Sequence, residues 1–130
     1  MLILTLRTDK PEAELGLFED EAKLEYVLWP AHRELAETIQ LKIDELLTKH
    51  GKKLESVQGI VAYQGPGSFT DLRIGLTVAN ALAYSLKVPI VASAGDQWVK
   101  LGQSRLTRGE SDQLALPEYG SPVHITLPKK

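Results

Sequence analysis

The chain contains no cysteine among its 130 residues, which excludes disulfide bonds and thiolate metal sites. No apolar run approaches the roughly 20 residues that are needed to cross a bilayer. The N-terminus also lacks the basic start, apolar stretch and cleavage site of a signal peptide. We therefore expect a cytoplasmic protein.

An excess of basic residues is also missing, since the formal net charge is −2. Nucleic-acid affinity depends mainly on Lys and Arg against phosphate, so the chain has no general electrostatic reason to bind it. Its hydrophobic content of 43 % and charged content of 25 % are ordinary for a globular protein. The length suits one domain with one modest core.

Side chains that could hold a metal are scattered. His32, His50 and His124 lie far apart and lack the spacing of ligands, and we interpret His50 as a helix-end residue. The acidic run Glu19–Glu21 is typical of a solvated hairpin tip. The sequence therefore predicts no metal site.

Three strands are predicted before Pro30, which ends the third of them. The almost continuous apolar run Leu2–Leu6 indicates a central strand that is buried on both faces. Glu14–Phe18 and Ala22–Trp29 indicate two more strands, and the short polar linkers favour an antiparallel meander. In the third strand one face would carry Leu24, Tyr26 and Leu28.

A helical period follows from Arg33 to His50, and Gly51 is a suitable stop. The apolar stripe of this helix comprises Leu35, Ile39, Ile43, Leu46 and Leu47. Leu54–Tyr63 contains a fourth strand, which we expect to run parallel to an earlier one through a right-handed crossover. A second helix, Ile74–Leu86, and a fifth strand, Val88–Ala92, follow.

The second helix carries a small residue at every fourth position, namely Gly75, Ala79 and Ala83. This spacing permits close approach to the first helix or to another subunit. Beyond the fifth strand, Asp96 is expected to cap a short helix that ends near Leu101. We divide the chain into one domain at 1–102 and a polar, proline-containing, extended tail at 103–130.

A glycine-rich turn, Gly65–Thr70, joins the fourth strand to the second helix. Its glycines permit unusual backbone angles, and Pro66 fixes one φ angle. Ser68 or Thr70 could cap the helix, and Asp71 suits the positive end of the dipole. Such a turn could hold a phosphate or carboxylate, dock a partner, or serve as a connection without a ligand.

Neither a nucleophile elbow nor a P-loop is present in this turn. Ser68 does not lie in a Gly-x-Ser-x-Gly pattern, and the turn lacks the Gly-Lys-Ser/Thr ending of a P-loop. Arg73 could meet an acidic group on a partner or pair with Asp71 within the chain. Phe69 is the best candidate for an exposed anchor, whereas Tyr63 and Trp98 are expected in the core or at its edge.

The run Gly65–Gly75, followed by Leu76–Ala83 and Val88–Val91, resembles the signature of the TsaB (YeaZ) family. Asp71 departs from this family, in which Gly is usual there. The resemblance extends from Leu2 to about Leu101 and implies an α/β fold. That fold would be a single actin/Hsp70-like (ASKHA) lobe with a mixed five-stranded sheet, in the order β-β-β-α-β-α-β, plus a short C-terminal helix and an extended tail.

The resemblance also implies a function. TsaB proteins are non-catalytic partners of the ATP-binding TsaD enzyme in threonylcarbamoyladenosine (t6A) modification of adenosine 37, in tRNAs that read codons starting with A. The first and second helices would form the interface, and the same surface could form a homodimer. The implied interface residues are Gly65, Pro66, Gly67, Ser68, Phe69, Thr70, Arg73, Gly75 and Ala79.

ATP and metal would then belong to the partner, so no cofactor is expected in this chain, and tRNA would be contacted only indirectly. A TsaE-type ATPase is a further candidate partner. Arg7–Thr8 stands where the family usually has Asp-Thr, which argues against nucleotide chemistry. Family members usually have a second lobe, and the ending from Pro117 to Pro128 resembles that of reduced members, which suggests a naturally short protein.

Two other functions stay open. The first is a small nucleotide- or phosphate-binding hydrolase that uses the glycine-rich turn. The second is a self-associating remnant domain without a role in t6A synthesis.

Overall fold

Five strands form one mixed sheet, and the computed structural model describes residues 1–31, 34–67 and 69–117, with nothing stated of the side chain of residue 69. The strands are β1 (Leu2–Arg7), β2 (Glu12–Glu19), β3 (Ala22–Pro30), β4 (Gly59–Tyr63) and β5 (Ile90–Ser93). The helices are α1 (Leu35–Lys49), α2 (Phe69–Leu86) and α3 (Trp98–Thr107). In this described part, no helix has the length and apolar character to span a membrane.

The spatial order of the strands is β3-β2-β1-β4-β5. β1 lies in the middle, antiparallel to β2 and parallel to β4, and Leu2–Leu6 is buried throughout. β2 and β3 continue the antiparallel meander. The predictions of a central first strand, a meander and a parallel fourth strand are therefore confirmed, as is a mixed five-stranded sheet with three helices.

α1 lies against the same sheet face as Val27 and Trp29 of β3. The indole nitrogen of Trp29 donates to Oγ1 of Thr38 at 3.1 Å. Leu24 and Leu28, which alternate with these residues, stay exposed on the other face of this edge strand. The apolar stripe that was predicted for α1 is buried.

The end of α1 also agrees with its predicted stop. His50 is the residue that caps the helix, and Gly51 takes a φ of +68°, a conformation that glycine adopts without strain. His50 Nε2 lies 2.7 Å from Oε1 of Glu25, and the Lys49 ammonium donates to the same carboxylate. Hydrogen bonds from His50 and Lys49 lower the pKa of Glu25. Arg33, the predicted start, lies outside the described residues.

α3 packs against the opposite face of the sheet from α1. Thr5, Gly16 and Val61 are direct neighbours across strands and so share one face, and Val61 is the residue that meets α3 at Gly102. α2 connects the parallel strands β4 and β5, which extend the sheet in one direction from β1. A right-handed crossover therefore places α2 beside α1 on the same face of the sheet. Among the described residues, two helices therefore lie on one face of the sheet and one on the other.

The third helix differs from its prediction. Gln97 rather than Asp96 is the residue before the helix, and it makes no side-chain capping hydrogen bond. The helix continues past Leu101 to Thr107, and its buried residues include Gly102, Gln103 and Leu106. A Cβ at Gly102 would lie 2.2 Å from Cγ1 of Val61, so the absent side chain permits the approach of α3 to β4.

Ser111 and Asp112 cover the open edge of β5, so the start of the polar segment after α3 is part of the folded domain. The Asp112 amide donates to the Ile90 carbonyl at 2.7 Å, and the Ala92 amide donates to Oδ2 of Asp112 at 2.7 Å. Nη1 of Arg105 donates to the same Oδ2 at 3.0 Å and to the Ala92 carbonyl at 3.1 Å. The remaining predicted tail, 118–130, lies outside the described residues.

Asp112→Asn should lower the free energy of unfolding by about 1 kcal/mol at neutral pH, because a hydrogen bond to a charged group stabilises by roughly 1.5–3 kcal/mol and partial exposure weakens it. The hydrogen bond from Arg105 is the largest cause that lowers the pKa of Asp112, and the hydrogen bond from the Ala92 amide lowers it further. The ionised Asp112 carboxylate contributes its full stabilisation of the folded state above the ordinary Asp pKa of about 3.9. This contribution is lost as the pH falls through the lower pKa that the group has in the folded protein.

Urea unfolding at a series of pH values tests this. The free energies of unfolding of wild type and Asp112→Asn should differ at about pH 7 and converge as the pH falls toward about 2. The matched control is Asp44→Asn, at an exposed position of α1, which should change stability by less than about 0.5 kcal/mol. A gap that is independent of pH would contradict the assigned role of the Asp112 carboxylate.

Candidate functional site

Two glycines shape the turn between β4 and α2. Gly65 has a φ of +116°, and its peptide bond to Pro66 is cis; L side chains rarely adopt such a φ. The Tyr63 hydroxyl donates to the Pro66 carbonyl oxygen at 3.1 Å. Gly67 lies against the residues after β1, since a Cβ there would be 2.3 Å from the Cβ of Asp9. Pro66 and Gly67 are themselves exposed, so this turn presents backbone at the surface.

α2 begins directly after this turn. Because the helix starts at Phe69, Ser68 is the only one of the two predicted capping residues that precedes it, and Ser68 lies outside the described residues. Asp71 is in the first turn of the helix, as predicted, where a negative charge suits the dipole. The Thr8 hydroxyl donates to the Asp71 carbonyl at 2.7 Å, which ties the start of α2 to the end of β1.

Arg7, at the end of β1, is neutralised inside the domain. Its Nε donates to Oδ1 of Asp9 at 2.7 Å, and its guanidinium carbon lies 3.8 Å from the centroid of the Tyr63 ring. Burial disfavours the charged form, but the hydrogen bond with Asp9 and the nearby negative charges of Asp9 and Glu14 together raise the pKa of Arg7. Tyr63 packs edge-to-face against Trp98, with centroids 5.6 Å apart, and both are buried as predicted.

A second group of charged side chains lies beside Arg7. The buried carboxylate of Glu14 accepts from the Tyr26 hydroxyl and lies 2.7 Å from Nζ of Lys10. Burial favours the protonated form of Glu14, but the hydrogen bonds from Lys10 and Tyr26 outweigh it and lower the pKa of Glu14. Burial and the hydrogen bond to Glu14 raise the pKa of Tyr26. These groups therefore satisfy one another's hydrogen bonds.

Within residues 1–31, 34–67 and 69–117, no group of three or more His, Cys, Asp or Glu side chains is placed to hold an ion. His50, the described histidine at a helix end, instead contacts Glu25. His32 and His124 lie outside the described residues.

An open groove of about 450 Å³ lies between the two helices that share a sheet face, and we call it the α1–α2 groove. Its lining comprises Ala36 of α1 and Thr70, Arg73, Ile74, Thr77 and Val78 of α2. Ile74 and Val78 are only partly buried, so the groove offers apolar side chains to whatever enters it. It lies at the N-terminal half of α2, directly after the glycine-rich turn.

The structure separates the predicted interface residues into two groups. Thr70 and Arg73 line the α1–α2 groove, next to the exposed turn at Pro66 and Gly67. Gly75 and Ala79 instead lie on the buried face of α2. A Cβ at Gly75 would be 2.1 Å from Oγ1 of Thr8, so this small residue permits close approach of helix to strand rather than of helix to helix. Ser68 and the side chain of Phe69 lie outside the described part.

Apolar side chains that the sequence reasoning missed extend this surface. Leu41 on α1 is 56 % exposed and Tyr84 on α2 is 88 % exposed. Leu114 and Leu116, which flank α2 in the segment after α3, are also exposed. A signal was present in the sequence, because Leu41 and Tyr84 are apolar residues that fall outside the buried stripe of their helices. Leu114 and Leu116 line a separate pocket with Thr77 and Asn80, and Tyr84 lines another with Ser111 and Gln113.

Comparison with known proteins gives a family match and several relatives. The family model described as TsaD, tRNA N6-adenosine threonylcarbamoyltransferase, matches residues 30–93. The tRNA threonylcarbamoyladenosine biosynthesis protein TsaB of Escherichia coli is 29 % identical over 113 residues, which cover 82 % of this chain and 48 % of the relative. The tRNA N6-adenosine threonylcarbamoyltransferase of Geotalea uraniireducens is 45 % identical over 60 residues, which cover 46 % of this chain and 18 % of the relative.

A solved structure shows the same likeness. YeaZ from Pseudomonas aeruginosa superposes with a TM-score of 0.63 and 28 % sequence identity, over 72 % of this chain and 45 % of that chain. The chain therefore spans less than half the length of each of these three relatives.

Proposed function

The chain is related to the TsaB (YeaZ) family, as its signature around the glycine-rich turn predicts, and on that premise we propose that it is a non-catalytic partner of a TsaD-type subunit. In this role it supports threonylcarbamoyladenosine modification of tRNA in the cytoplasm. Its domain acts as one ASKHA-type lobe whose helical layer binds the enzyme. The enzyme supplies the ATP and metal sites, and tRNA is reached only through it.

The observation that carries this proposal is the apolar character of the α1–α2 side. Leu41, Tyr84 and the partly buried Ile74 and Val78 leave apolar area uncovered on a protein of modest size. Contiguous exposed apolar area marks interaction sites, and the centre of an interface is its most apolar part. A helical layer that presents such side chains suits docking against another helical layer.

The end of β1 supports a non-catalytic role. Arg7 stands where the family resemblance implies an acidic residue, and its positive charge is paired with Asp9 and stacked on Tyr63. A carboxylate in the position of Arg7 could bind a metal ion that also holds a phosphate, whereas a guanidinium there repels the metal ion. The buried side chains around Arg7 therefore serve the domain's own stability.

We assign the interface to the groove side of both helices. Thr70 and Arg73 contribute from the groove, and the exposed backbone of Pro66 and Gly67 extends the contact at its end. Ser68 and Phe69 stay in the proposal as predictions from the sequence. Gly75 and Ala79 act indirectly, because they set how deeply α2 sits on the sheet.

Two further associations belong to the same proposal. The α1–α2 side pairs with a second copy of this chain when the enzyme is absent, since an apolar surface that is left open favours self-association. A TsaE-type ATPase is a further partner in this proposal.

Co-purification with the TsaD homologue from the same cell tests the proposal. A stable complex that raises t6A formation above the level of the enzyme alone is the expected result. The chain without the enzyme should show no saturable ATP binding by calorimetry. No complex, together with an unchanged t6A level, would refute the scaffold role, and saturable ATP binding by the chain alone would favour the hydrolase.

A further inference from the structure

The two edges of the sheet are finished differently. At β5 the chain covers its own edge through Ser111 and Asp112. β3 is the strand at the other edge, and among the described residues only β2 pairs with it. An open strand edge presents unpaired backbone N–H and C=O groups, which form a template for another strand. β3 is therefore the place at which the sheet can continue into another chain.

The free backbone groups in the middle of β3 belong to Tyr26 and Leu28. The Ala31 amide donates to the Pro11 carbonyl at 3.1 Å, in the same register as the rest of the β2–β3 pair. Hydrogen-bonded and non-hydrogen-bonded residues alternate along an antiparallel pair. Every second residue back from Ala31 therefore bonds to β2, whereas the N–H and C=O groups of Tyr26 and Leu28 point away from the sheet.

The regular part of this open edge is short and has Val27 at its centre. A register shift in the pairing with β2 ends it before Glu25. Pro30, which has no N–H to donate, ends it after Trp29. The five residues that remain, 25–29, are symmetric about Val27, so the two residues with outward backbone groups lie one on each side of it.

This stretch is complementary to a second copy of itself. If two copies run antiparallel with Val27 opposite Val27, then Tyr26 of each chain faces Leu28 of the other. Both residues carry outward backbone groups, so these two pairs exchange four hydrogen bonds. On the same side of the seam, Leu24 of each chain faces Pro30 of the other.

The side chains that meet in this register are apolar and largely uncovered in the single chain. Leu28 is 50 % exposed and Leu24 is 37 % exposed, Pro30 is exposed, and Tyr26 is half-buried. Apolar pairs across neighbouring antiparallel strands stabilise a sheet. A second copy would therefore cover the leucines that β3 leaves open on the face opposite α1.

Charged side chains do not oppose this pairing. Glu25 already contacts His50 and Lys49 of its own chain, and it would face Trp29 of the second copy. The two copies of Glu25 would be four residues apart along the seam, about 14 Å, which exceeds the screening length of about 8 Å at physiological salt. Lys23, of a type that commonly protects open edges, lies beyond the paired stretch.

We propose that β3 pairs with β3 of a second copy of this chain across a twofold axis at Val27, which joins two five-stranded sheets into one of ten strands. The contact lies away from the α1–α2 side and does not depend on the proposed function. Four hydrogen bonds and a few apolar side chains form a small interface, in the class of weak complexes below about 1,200 Å². We therefore expect a dissociation constant on the order of 10 μM.

A single cysteine on the twofold axis tests the register, since the natural sequence has no cysteine. Val27→Cys places two thiols opposite each other in a non-hydrogen-bonded pair, where the Cα atoms are about 4.5 Å apart, within the range of disulfides. At about 100 μM protein, well above the expected dissociation constant, mild oxidation should give a disulfide-linked dimer at least about tenfold faster than with Leu24→Cys.

Leu24→Cys is a matched control, because Leu24 lies on the same strand and is more exposed than Val27. In the proposed register its two copies are about 20 Å apart, too far for a disulfide. Equal rates for the two variants, or faster crosslinking of Leu24→Cys, would overturn the proposal.

A charge at the seam tests the energetics by sedimentation equilibrium. Leu28→Lys should weaken self-association at least about tenfold, because it puts a charge into both apolar pairs. Leu101→Lys, at a position on α3 that is 53 % exposed, should leave it unchanged. Both are made in the Leu41→Arg background, which removes the pairing proposed for the α1–α2 side, so that the two contacts are measured separately. A Leu41→Arg protein that stays monomeric up to about 300 μM, or equal dissociation constants for the two lysine variants, would refute pairing through β3.

Discussion

Leu41→Arg should weaken binding to a TsaD-type subunit by at least about 30-fold, the effect of losing one residue that contributes about 2 kcal/mol to an interface. Leu41 is exposed on α1, one of the two helices that we assign to the docking side. An arginine there would bring a charged group into the apolar part of the contact, where it loses water without gaining a counter-charge. The dissociation constant, measured by calorimetry with the purified subunit, gives the result directly.

Leu101→Arg is the matched control for this experiment. Leu101 is 53 % exposed and Leu41 is 56 % exposed, and each lies within a helix. The two helices lie on opposite faces of the sheet, so only one substitution changes the proposed docking side. Both should alter the free energy of unfolding by less than about 0.5 kcal/mol, as is usual for surface positions.

The comparison of these two variants separates the possible outcomes. A loss of binding in Leu41→Arg alone supports docking on the α1–α2 side. Equal losses in both variants would point to a general effect of added positive charge. A selective loss in Leu101→Arg would transfer the docking surface to the α3 face and refute our assignment.

The parts of the fold that sequence patterns predicted correctly are those in which one local signal dominates. Leu2–Leu6 is apolar at almost every position, and only a strand covered on both faces uses such a run. The stripe of α1 has a helical period and ends at Gly51, whose positive φ is the usual conformation at a helix end. In these elements the local preference and the tertiary environment agree.

α3 was under-predicted because its buried face is marked by few apolar residues. Gly102 and Gln103 are both buried. Neither is a large apolar residue, so neither contributes to a helical pattern of apolar residues in the sequence. Glycine is there because Val61 needs the space, and the Gln103 side chain donates to the Asp20 carbonyl at 3.0 Å. Burial of this kind follows from a neighbour that is distant in the sequence, so no local pattern reports it.

The candidate site shows the same limit. The spacing of Gly75 and Ala79 predicted a close approach of α2 to the first helix or to another subunit, but a spacing does not identify the neighbour, and at Gly75 the predicted neighbour was wrong. The structure assigns the approach at Gly75 to Thr8, which is more than sixty positions earlier in the chain. Leu41 and Tyr84, by contrast, could have been found by asking which apolar residues fall off the buried stripes.

Gly75→Ala should lower the free energy of unfolding by about 2–3 kcal/mol, although alanine is intrinsically the better helix former by about 1 kcal/mol. The new Cβ would lie 2.1 Å from Oγ1, 2.7 Å from Cγ2 and 2.9 Å from Cβ of Thr8. Thr8 is buried and donates its hydroxyl hydrogen to the Asp71 carbonyl, so it cannot move away without breaking that bond. Urea unfolding of the two proteins measures the difference.

A double-mutant cycle with Thr8→Ala assigns the cause. Removing the threonine hydroxyl and methyl groups eliminates the two shortest contacts, so Gly75→Ala should cost at least about 1 kcal/mol less in the Thr8→Ala background. Ala81→Gly, at an exposed position of the same helix, measures the intrinsic preference of α2 for alanine over glycine. If Gly75→Ala were instead stabilising by that same amount, α2 would not approach β1 at Gly75, and the small residues would again be available for an interface.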